Sequence, residues 1–489
     1  MIIVKMNCII VVLILFAVSC NFYGVSADGG VFQVQHKFAG VKRSLTDIKD
    51  HDSHRHQRLL FSIDVPLGGD GKATGTGLYF TKIKIGSPSR DYYVHVDTGS
   101  DLFWVNCVQC NGCPSKSGLG IDLTLYNPDS SSDSERITCD QEFCTLNSGG
   151  PIPGCYRGAQ CQYQLGYGDG SSTLGYFVKD VVQYDRVSGN LATTSANSSI
   201  VIGCGTQQSG NLQDPRVALD GLIGFGQSKI SMLSQIAATG AIKQKFAHCL
   251  DGVHGGGIFA IGNVVQPRVK TTPMVPNKQH YNVNLLSIMV GKSTLSLPSG
   301  VLGTANPKET IVDSGTTLAY LPDVMYQALI SQILANHSDL VVETIEQHFQ
   351  CFKHSSSVDD AFPVVTLIFE NSLQLVVPPH DYLFTYGDAY CIGWQSSGTQ
   401  SKDVTDMALL GDLVLTNKLV LYDIENQAIG WTNYDCSSSI GIQDDQTNAI
   451  YQVGAHHLSS AHSIEMGSII ILLLLSSICH TMFYSGSFS

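Results

Sequence analysis

Two short segments 216 positions apart, Asp97-Thr98-Gly99-Ser100 and Asp313-Ser314-Gly315-Thr316, constrain this 489-residue chain more than any other feature. Each places a carboxylate at the head of a tight Gly-containing turn, after His95-Val96 in the first case and Thr310-Ile311-Val312 in the second. A carboxylate in such a turn is held by neighbouring backbone and hydroxyl donors. A single copy would be an ordinary turn after a strand. The second copy at half-protein spacing, with a matching element downstream of each, reads differently. Asp220-Gly221-Leu222-Ile223-Gly224 follows the first turn and Leu409-Leu410-Gly411-Asp412 the second. Each contains an apolar pair closing on Gly, as required where a strand crosses close behind a loop and no Cβ fits. The pattern is that of a diverged internal duplication.

Two such turns facing each other would hold both Asp side chains in one site. Like charges that close cannot both ionise, so one proton is shared: one apparent pKa falls and the other rises. Such a pair is an acid and a base at once, able to activate water against a peptide carbonyl.

With Trp104 seven positions after the first Asp and Tyr167-Gly168-Asp169-Gly170-Ser171 at a hairpin-like tip, the chain resembles the pepsin-like aspartic endopeptidases from about Tyr79 to Asp435. Ser314, where Thr is usual, and a Cys-rich insertion between Cys107 and Cys161 resemble the plant nepenthesin-like and nucellin-like branch. The resemblance implies a mainly β, bilobal pepsin-like fold with the active site in the cleft between two related lobes. It implies a catalytic pair, Asp97 and Asp313, that holds the attacking water with no cofactor. It further implies that Thr98 and Ser314 tie the two loops from behind, and that Ser100 and Thr316 donate to the outer carboxylate oxygens. Gly99 and Gly315 complete the turns. Tyr167 on a flap and Trp104 beneath it would exclude water, and Leu222 would line an apolar pocket beside the scissile bond. The expected partners are protein or peptide substrates, and the expected state is a monomer.

Composition adds an organisation. Lys5, an apolar run from Cys8 to Val18 and Val25-Ser26-Ala27 read as a secretory signal spanning 1–27, with an uncleaved anchor as the alternative. Residues 1–72 carry eight Lys/Arg against six Asp/Glu, whereas the rest carries 20 against 35. A basic propeptide over residues 28–72, covering an acidic cleft in a zymogen, is one reading; a leader with no inhibitory role is the other. The acidic balance excludes nucleic acid as an expected partner. Residues 73–270 read as the N-terminal lobe and 271–436 as the C-terminal lobe. Helical spacing is confined to Ser231–Ala237 and Pro322–Leu334. Residues 437–459, rich in Ser, Gly, Gln and His, read as a stalk. After Met466 comes Ile469-Ile470-Ile471-Leu472-Leu473-Leu474-Leu475, with no Lys or Arg after Lys418 to orient a spanning helix. Residues 460–489 therefore read as a removable GPI signal, with Ser459 as the lipid-attachment residue and Gly454 as a rival. A spanning helix or a buried helix of the body are the alternatives.

Leaving out Cys8, Cys20 and Cys479, twelve cysteines remain, an even number that in a secreted chain predicts six disulfides. The spacing Cys107-x-x-Cys110-x-x-Cys113 could also be a metal site, although no His cluster completes it, and no metal is expected. The family resemblance implies Cys351–Cys391 and Cys249–Cys436. The other eight (Cys107, Cys110, Cys113, Cys139, Cys144, Cys155, Cys161, Cys204) would close on themselves in an order the sequence leaves open. Asn197-Ser198-Ser199 and Asn336-His337-Ser338 are glycosylation sequons.

Two other functions share these features. A pepsin-fold protein that has lost catalysis can bind or inhibit microbial glycoside hydrolases, but such proteins typically lack one carboxylate or the flap tyrosine, and here all three are present. A lipid-linked adhesion role would fit the tail alone. The intact acid/base pair points to a membrane-anchored acid endopeptidase on the outer face of the plasma membrane.

Overall fold

A computed structural model describes residues 60–458, apart from 347, 400–405 and 446. Strands dominate, as the alternating sequence predicts. Leu78–Ile85 buries Tyr79, Ile83 and Ile85 while Lys82 and Lys84 face water, and Arg90–Asp97 buries Tyr92, Val94 and Val96. The two strands pair antiparallel, Phe80 opposite His95. The body has two lobes: a 15-stranded sheet, which also takes in the late strands Lys418–Asp423 and Ala428–Asn433, and an eight-stranded sheet built between Asn282 and Leu410. Helices are few. Met232–Ala238 is capped by the Ser231 hydroxyl, which accepts from Ser234 N, and Asp323–Ile333 buries Met325, Tyr326, Leu329, Ile330 and Ile333 along one stripe.

The same strand crossing occurs in each lobe. Gly221–Gly224 runs parallel to Arg90–Asp97, Gly224 beside Asp97. Ala408–Leu410 runs parallel to Lys308–Val312, Leu410 beside Val312. A Cβ on Gly224 would sit 2.6 Å from Ser100 O, and one on Gly411 would strike Thr316 O and Leu318 O. Glycine there is a steric requirement of threading a strand behind a loop.

Six disulfides join the twelve cysteines. Cys351–Cys391 and Cys249–Cys436 are the pairs the resemblance implied. The other eight close among themselves as Cys107–Cys204, Cys110–Cys113, Cys139–Cys155 and Cys144–Cys161. The Cys107-x-x-Cys110-x-x-Cys113 sulfurs are therefore all in disulfides. The bridges of separation 16 and 17 staple the insertion around the α-helix Glu142–Asn147. Loops of that size correspond to about 3 kcal/mol each of unfolded-state entropy.

One expectation needs correction. Residues 437–459 are not a stalk up to their last described residue, Leu458. Ser439–Gln443 and Ile450–Gly454 form a hairpin that, continued to Leu458, makes a C-terminal strap, and the first of these strands pairs with Asn263–Gln266. Ile440, Ile442 and Val453 are buried against Ile258, Ala260 and Leu419 beside the Cys249–Cys436 bridge. Three apolar side chains in a Ser/Gln-rich stretch suffice because they fall on one face at strand spacing. Gly454 lies within this hairpin, which removes it as a lipid-attachment rival. Residues 60–72, the end of the expected propeptide, are built into the body's sheet. Ile63–Asp64 pairs with both Gly257–Ile261 and Ser172–Gly189, and Leu67–Asp70 pairs with Leu78–Ile85. The two ends meet: Leu458 N donates to Leu67 O at 2.9 Å, and His456 Nε2 lies 2.9 Å from both Asp64 carboxylate oxygens. Residues 1–59, Ser459 and 460–489, with the signal, most of the propeptide and the lipid signal, lie outside the described residues.

The Asp64 hydrogen bond raises the His456 pKa above 6.5 against a smaller opposing effect of burial, with the Asp64 and Asp185 charges adding. A group raised on folding stabilises below its unfolded pKa and loses that stabilisation as pH rises through its folded pKa. His456→Gln should therefore lower the melting temperature by about 2 °C at pH 5.5, and the difference should shrink by pH 8.5. Differential scanning fluorimetry at both pH values checks this; a difference that grows with pH contradicts it.

Candidate active site

Each Asp turn is closed by its own donors. Asp97 Oδ1 accepts Gly99 N–H at 2.7 Å and Oδ2 accepts the Ser100 hydroxyl at 2.5 Å. Asp313 Oδ1 accepts Gly315 N–H at 2.7 Å and Oδ2 accepts the Thr316 hydroxyl at 2.7 Å. The two turns face one another across the duplication. A Cβ on Gly99 would lie 2.6 Å from the Asp313 carboxylate, and one on Gly315 would strike Asp97 Oδ1. Glycine in each turn thus makes room for the opposite turn's acid. Ser100 and Thr316 donate as expected.

Thr98 and Ser314 share the tie between the loops unequally. Thr98 Oγ1 accepts Ser314 N–H at 2.8 Å, joining the lobes. Ser314 Oγ is buried and has no hydrogen-bond partner among the described residues. The Ser314 contribution is its backbone, and the expectation of two tying hydroxyls holds for Thr98 alone.

The two carboxyls are 5 % and 7 % exposed. Burial raises both above the ordinary value; for Asp313 the nearby Asp97 charge adds to it, and the result is about 6. The turn donors pull the other way by favouring the charged form. As coupled acids the two titrate as a pair, and the value near 6 describes loss of the last shared proton. A third carboxyl, Asp412, is 1 % exposed with neither oxygen hydrogen-bonded among the described residues. Burial first, then the Asp313 and Asp97 charges, hold its pKa well above the ordinary value.

The hairpin turn Tyr167–Ser171 closes through Tyr167 N–H to Ser171 O at 2.9 Å, with Gly170 at φ +82°. Trp104 Nε1–H donates to the Tyr167 hydroxyl at 2.8 Å. Leu222 sits with Trp104 and Tyr163 in an apolar cluster against which Tyr167 and Leu165 pack. Asn197 and Asn336 are exposed.

Sequence reasoning missed several neighbours of the pair. His280 Nδ1 meets Gly99 O at 2.8 Å, and Gln227 Nε2–H donates to His280 O at 2.7 Å. His95, two residues before Asp97, has a buried Nε2 with no partner among the described residues, and burial lowers its pKa to about 4. Nothing in local spacing marks these residues, because their partners are brought by other strands.

Residues 79–263 match the family described as xylanase inhibitor N-terminal, and residues 280–433 its C-terminal counterpart. Aspartic proteinase 36 of Arabidopsis thaliana is 49 % identical over 95 % of this chain and 94 % of its own length. The chain belongs to the pepsin-like aspartic proteinase family. Within that family it is 26 % identical to aspartic proteinase nepenthesin-1 of Nepenthes gracilis, over 82 % of this chain and 87 % of the relative. The soybean basic 7S globulin crystal structure shares the fold: TM-score 0.59, 18 % identity, 77 % of this chain and 96 % of that one.

The uneven tie between the loops predicts uneven mutational costs. Ser314→Ala removes a hydroxyl with no hydrogen-bond partner among the described residues and should change stability by less than about 0.5 kcal/mol. Thr98→Val strands a buried N–H and should cost about 1–3 kcal/mol. Urea denaturation of both variants checks the order.

Proposed function

We propose that the protein is an acid endopeptidase, hydrolysing peptide bonds with water activated by Asp97 and Asp313. The observation that carries this reading is the near-symmetric pair itself: two buried carboxyls, each held by one backbone N–H and one hydroxyl, aimed at each other. In the singly protonated pair the ionised acid takes a proton from the attacking water while the protonated one donates to the carbonyl oxygen. The tetrahedral intermediate collapses with the proton delivered to the leaving amine, so no acyl-enzyme forms and no cofactor takes part. Tyr167, held by Trp104, closes over the substrate and keeps water out. Leu222 and its apolar neighbours favour bulky apolar side chains next to the bond cut.

The second reading is a pepsin-fold binding protein acting on glycoside hydrolases. The family description as a xylanase inhibitor favours it. The complete pair and flap tyrosine favour catalysis. Cleavage of a denatured protein at pH 4 decides between them. Asp97→Asn or Asp313→Asn should fold normally and lose about 1,000-fold or more in rate. Equal digestion by Asp313→Asn contradicts the proposal, and an inactive parent that binds a xylanase supports the second reading. Because activity needs the shared proton, the rate should fall as pH rises through about 6, where Asp313 loses it.

We also infer that the enzyme is secreted as a zymogen and works as a monomer tethered by glycolipid at Ser459, one residue past the last described strap contact at Leu458. The apolar segment after Met466, with no Lys or Arg beyond it, supports this. Phosphatidylinositol-specific phospholipase C should release the protein from membranes, without the peptide Ile469–Leu475. Recovery of that peptide from protein that stays bound contradicts it.

A further inference from the structure

A dipeptide at the start of the second lobe is bonded to the flanks of both acids. His280 Nδ1 lies 2.8 Å from Gly99 O, in the Asp97 turn, and Tyr281 O accepts Val312 N–H at 3.1 Å, one residue before Asp313. Both residues are also pinned to the segment that passes behind the Asp97 turn. Tyr281, 0 % exposed, donates its hydroxyl to Phe225 O at 2.6 Å, and Gln227 Nε2–H donates to His280 O at 2.7 Å. That segment holds the first turn in its own right: Phe225 N–H donates to Asp97 O at 2.7 Å and Gly226 N–H to Ser100 O at 2.8 Å. Residues 97–100, 225–227 and 280–281 therefore close a triangle around the first acid, and the strand of the second acid is attached to it. This link is separate from the bond between Ser314 N–H and Thr98 Oγ1.

The His280 bond has one possible polarity. A carbonyl oxygen has no proton to give, so Nδ1 carries the hydrogen and donates it. Nδ1 keeps that hydrogen whether or not Nε2 holds one, so the bond does not depend on the state of the ring. It bears on the peptide between Gly99 and Ser100. The carbonyl of that peptide is held from the second lobe, and its next residue, Ser100, supplies the hydroxyl that Asp97 Oδ2 accepts at 2.5 Å. On the other side of Gly99, the N–H is held by Asp97 Oδ1 at 2.7 Å. Rotation of the Gly99–Ser100 peptide would swing the hydroxyl off Asp97. It would also disturb the close approach to the second acid, since a Cβ on Gly99 would lie 2.6 Å from the Asp313 carboxylate.

Stability does not explain the choice of histidine. Gly99 and His280 are both only part-buried, where solvent can satisfy a carbonyl in place of a side chain. What solvent cannot supply is a donor whose direction is fixed by a backbone bonded to the strands of both acids. We propose that His280 is a positioning residue for the aspartate pair: its Nδ1–H holds the Gly99–Ser100 peptide at the angle that keeps the Ser100 hydroxyl on Asp97, and Tyr281 refers that angle to the strand of Asp313. The kinetic consequence rests on the proteolytic reading, while the geometric claim stands apart from it. Without the donor the Asp97 turn is free to rock while the Asp313 strand stays in place. The pair then loses alignment without loss of the fold.

The test compares His280→Leu, which has no donor, with His280→Asn, whose amide nitrogen stands close to the place of Nδ1. His280→Gln carries its amide further out and should behave as His280→Leu, so the comparison survives if the leucine variant does not fold. Two readouts are used: kcat and KM on a peptide substrate, and hydrogen exchange of the Gly99 and Val312 amides in the free protein. His280→Leu should lower kcat about 10-fold or more with KM within about 2-fold, because alignment of the pair counts in the transition state and not in substrate binding. Gly99 exchange should rise about 10-fold or more while Val312 exchange stays within about 2-fold, since Tyr281 remains held by Phe225. His280→Asn should restore most of both losses. An active parent whose leucine or glutamine variant keeps its kcat overturns the inference, as does an asparagine variant no better than leucine. Unchanged Gly99 exchange overturns it whatever the activity. So does equal acceleration at Gly99 and Val312, which is general loosening. A parent that cleaves nothing, whose leucine variant still accelerates Gly99 exchange alone, overturns the proteolytic reading and leaves the positioning role supported.

Discussion

Two carboxyl groups held in one desolvated cleft cannot both ionise, and the middle of this molecule is arranged around that constraint. Asp97 and Asp313 each take one N–H and one hydroxyl bond from their own turn, and a glycine in each turn makes room for the opposite acid. Burial and mutual repulsion push toward the protonated pair, while the four donors push toward the ionised one. The balance leaves one proton to be shared in the acid range. Asp412 lies buried beside them, where a third charge would be costly.

Keeping two turns from different lobes in register is a mechanical problem, solved in layers. The bond from Ser314 N–H to Thr98 Oγ1 is the direct link. Around it, parallel strands pass behind each turn with glycine where a side chain would collide. Further out, strands Lys418–Asp423 and Ala428–Asn433, late in the chain, complete the large sheet that carries Asp97. The C-terminal strap then returns to the N-terminal strand through His456 and Asp64, held at its root by Cys249–Cys436.

What could be read in the sequence, and what could not, follows from the range of each interaction. The pair and its turn donors are contained in two four-residue segments, so their geometry was legible from spacing. The Trp104–Tyr167 contact was carried by resemblance and is present at 2.8 Å. The strap was hidden because its apolar content is three residues, Ile440, Ile442 and Val453, within polar surroundings. Residues 63–70 were hidden because a basic leader precedes them directly. The unpartnered Ser314 hydroxyl and the His280–Gly99 contact, 181 positions apart, depend on where distant strands pack, which no local pattern encodes.

The central claim is that Asp97 and Asp313 hold one proton between them. Its most direct measurement is a carboxyl-carbon NMR titration of protein labelled at aspartate, with Asp97→Asn and Asp313→Asn used for assignment. The account predicts two coupled steps, both above the ordinary aspartate value of about 3.9 and the later one near 6, each sensed at both carbons. Each single variant should collapse the pair to one step. Two independent titrations near 3.9, unaffected by replacing the partner, would contradict it.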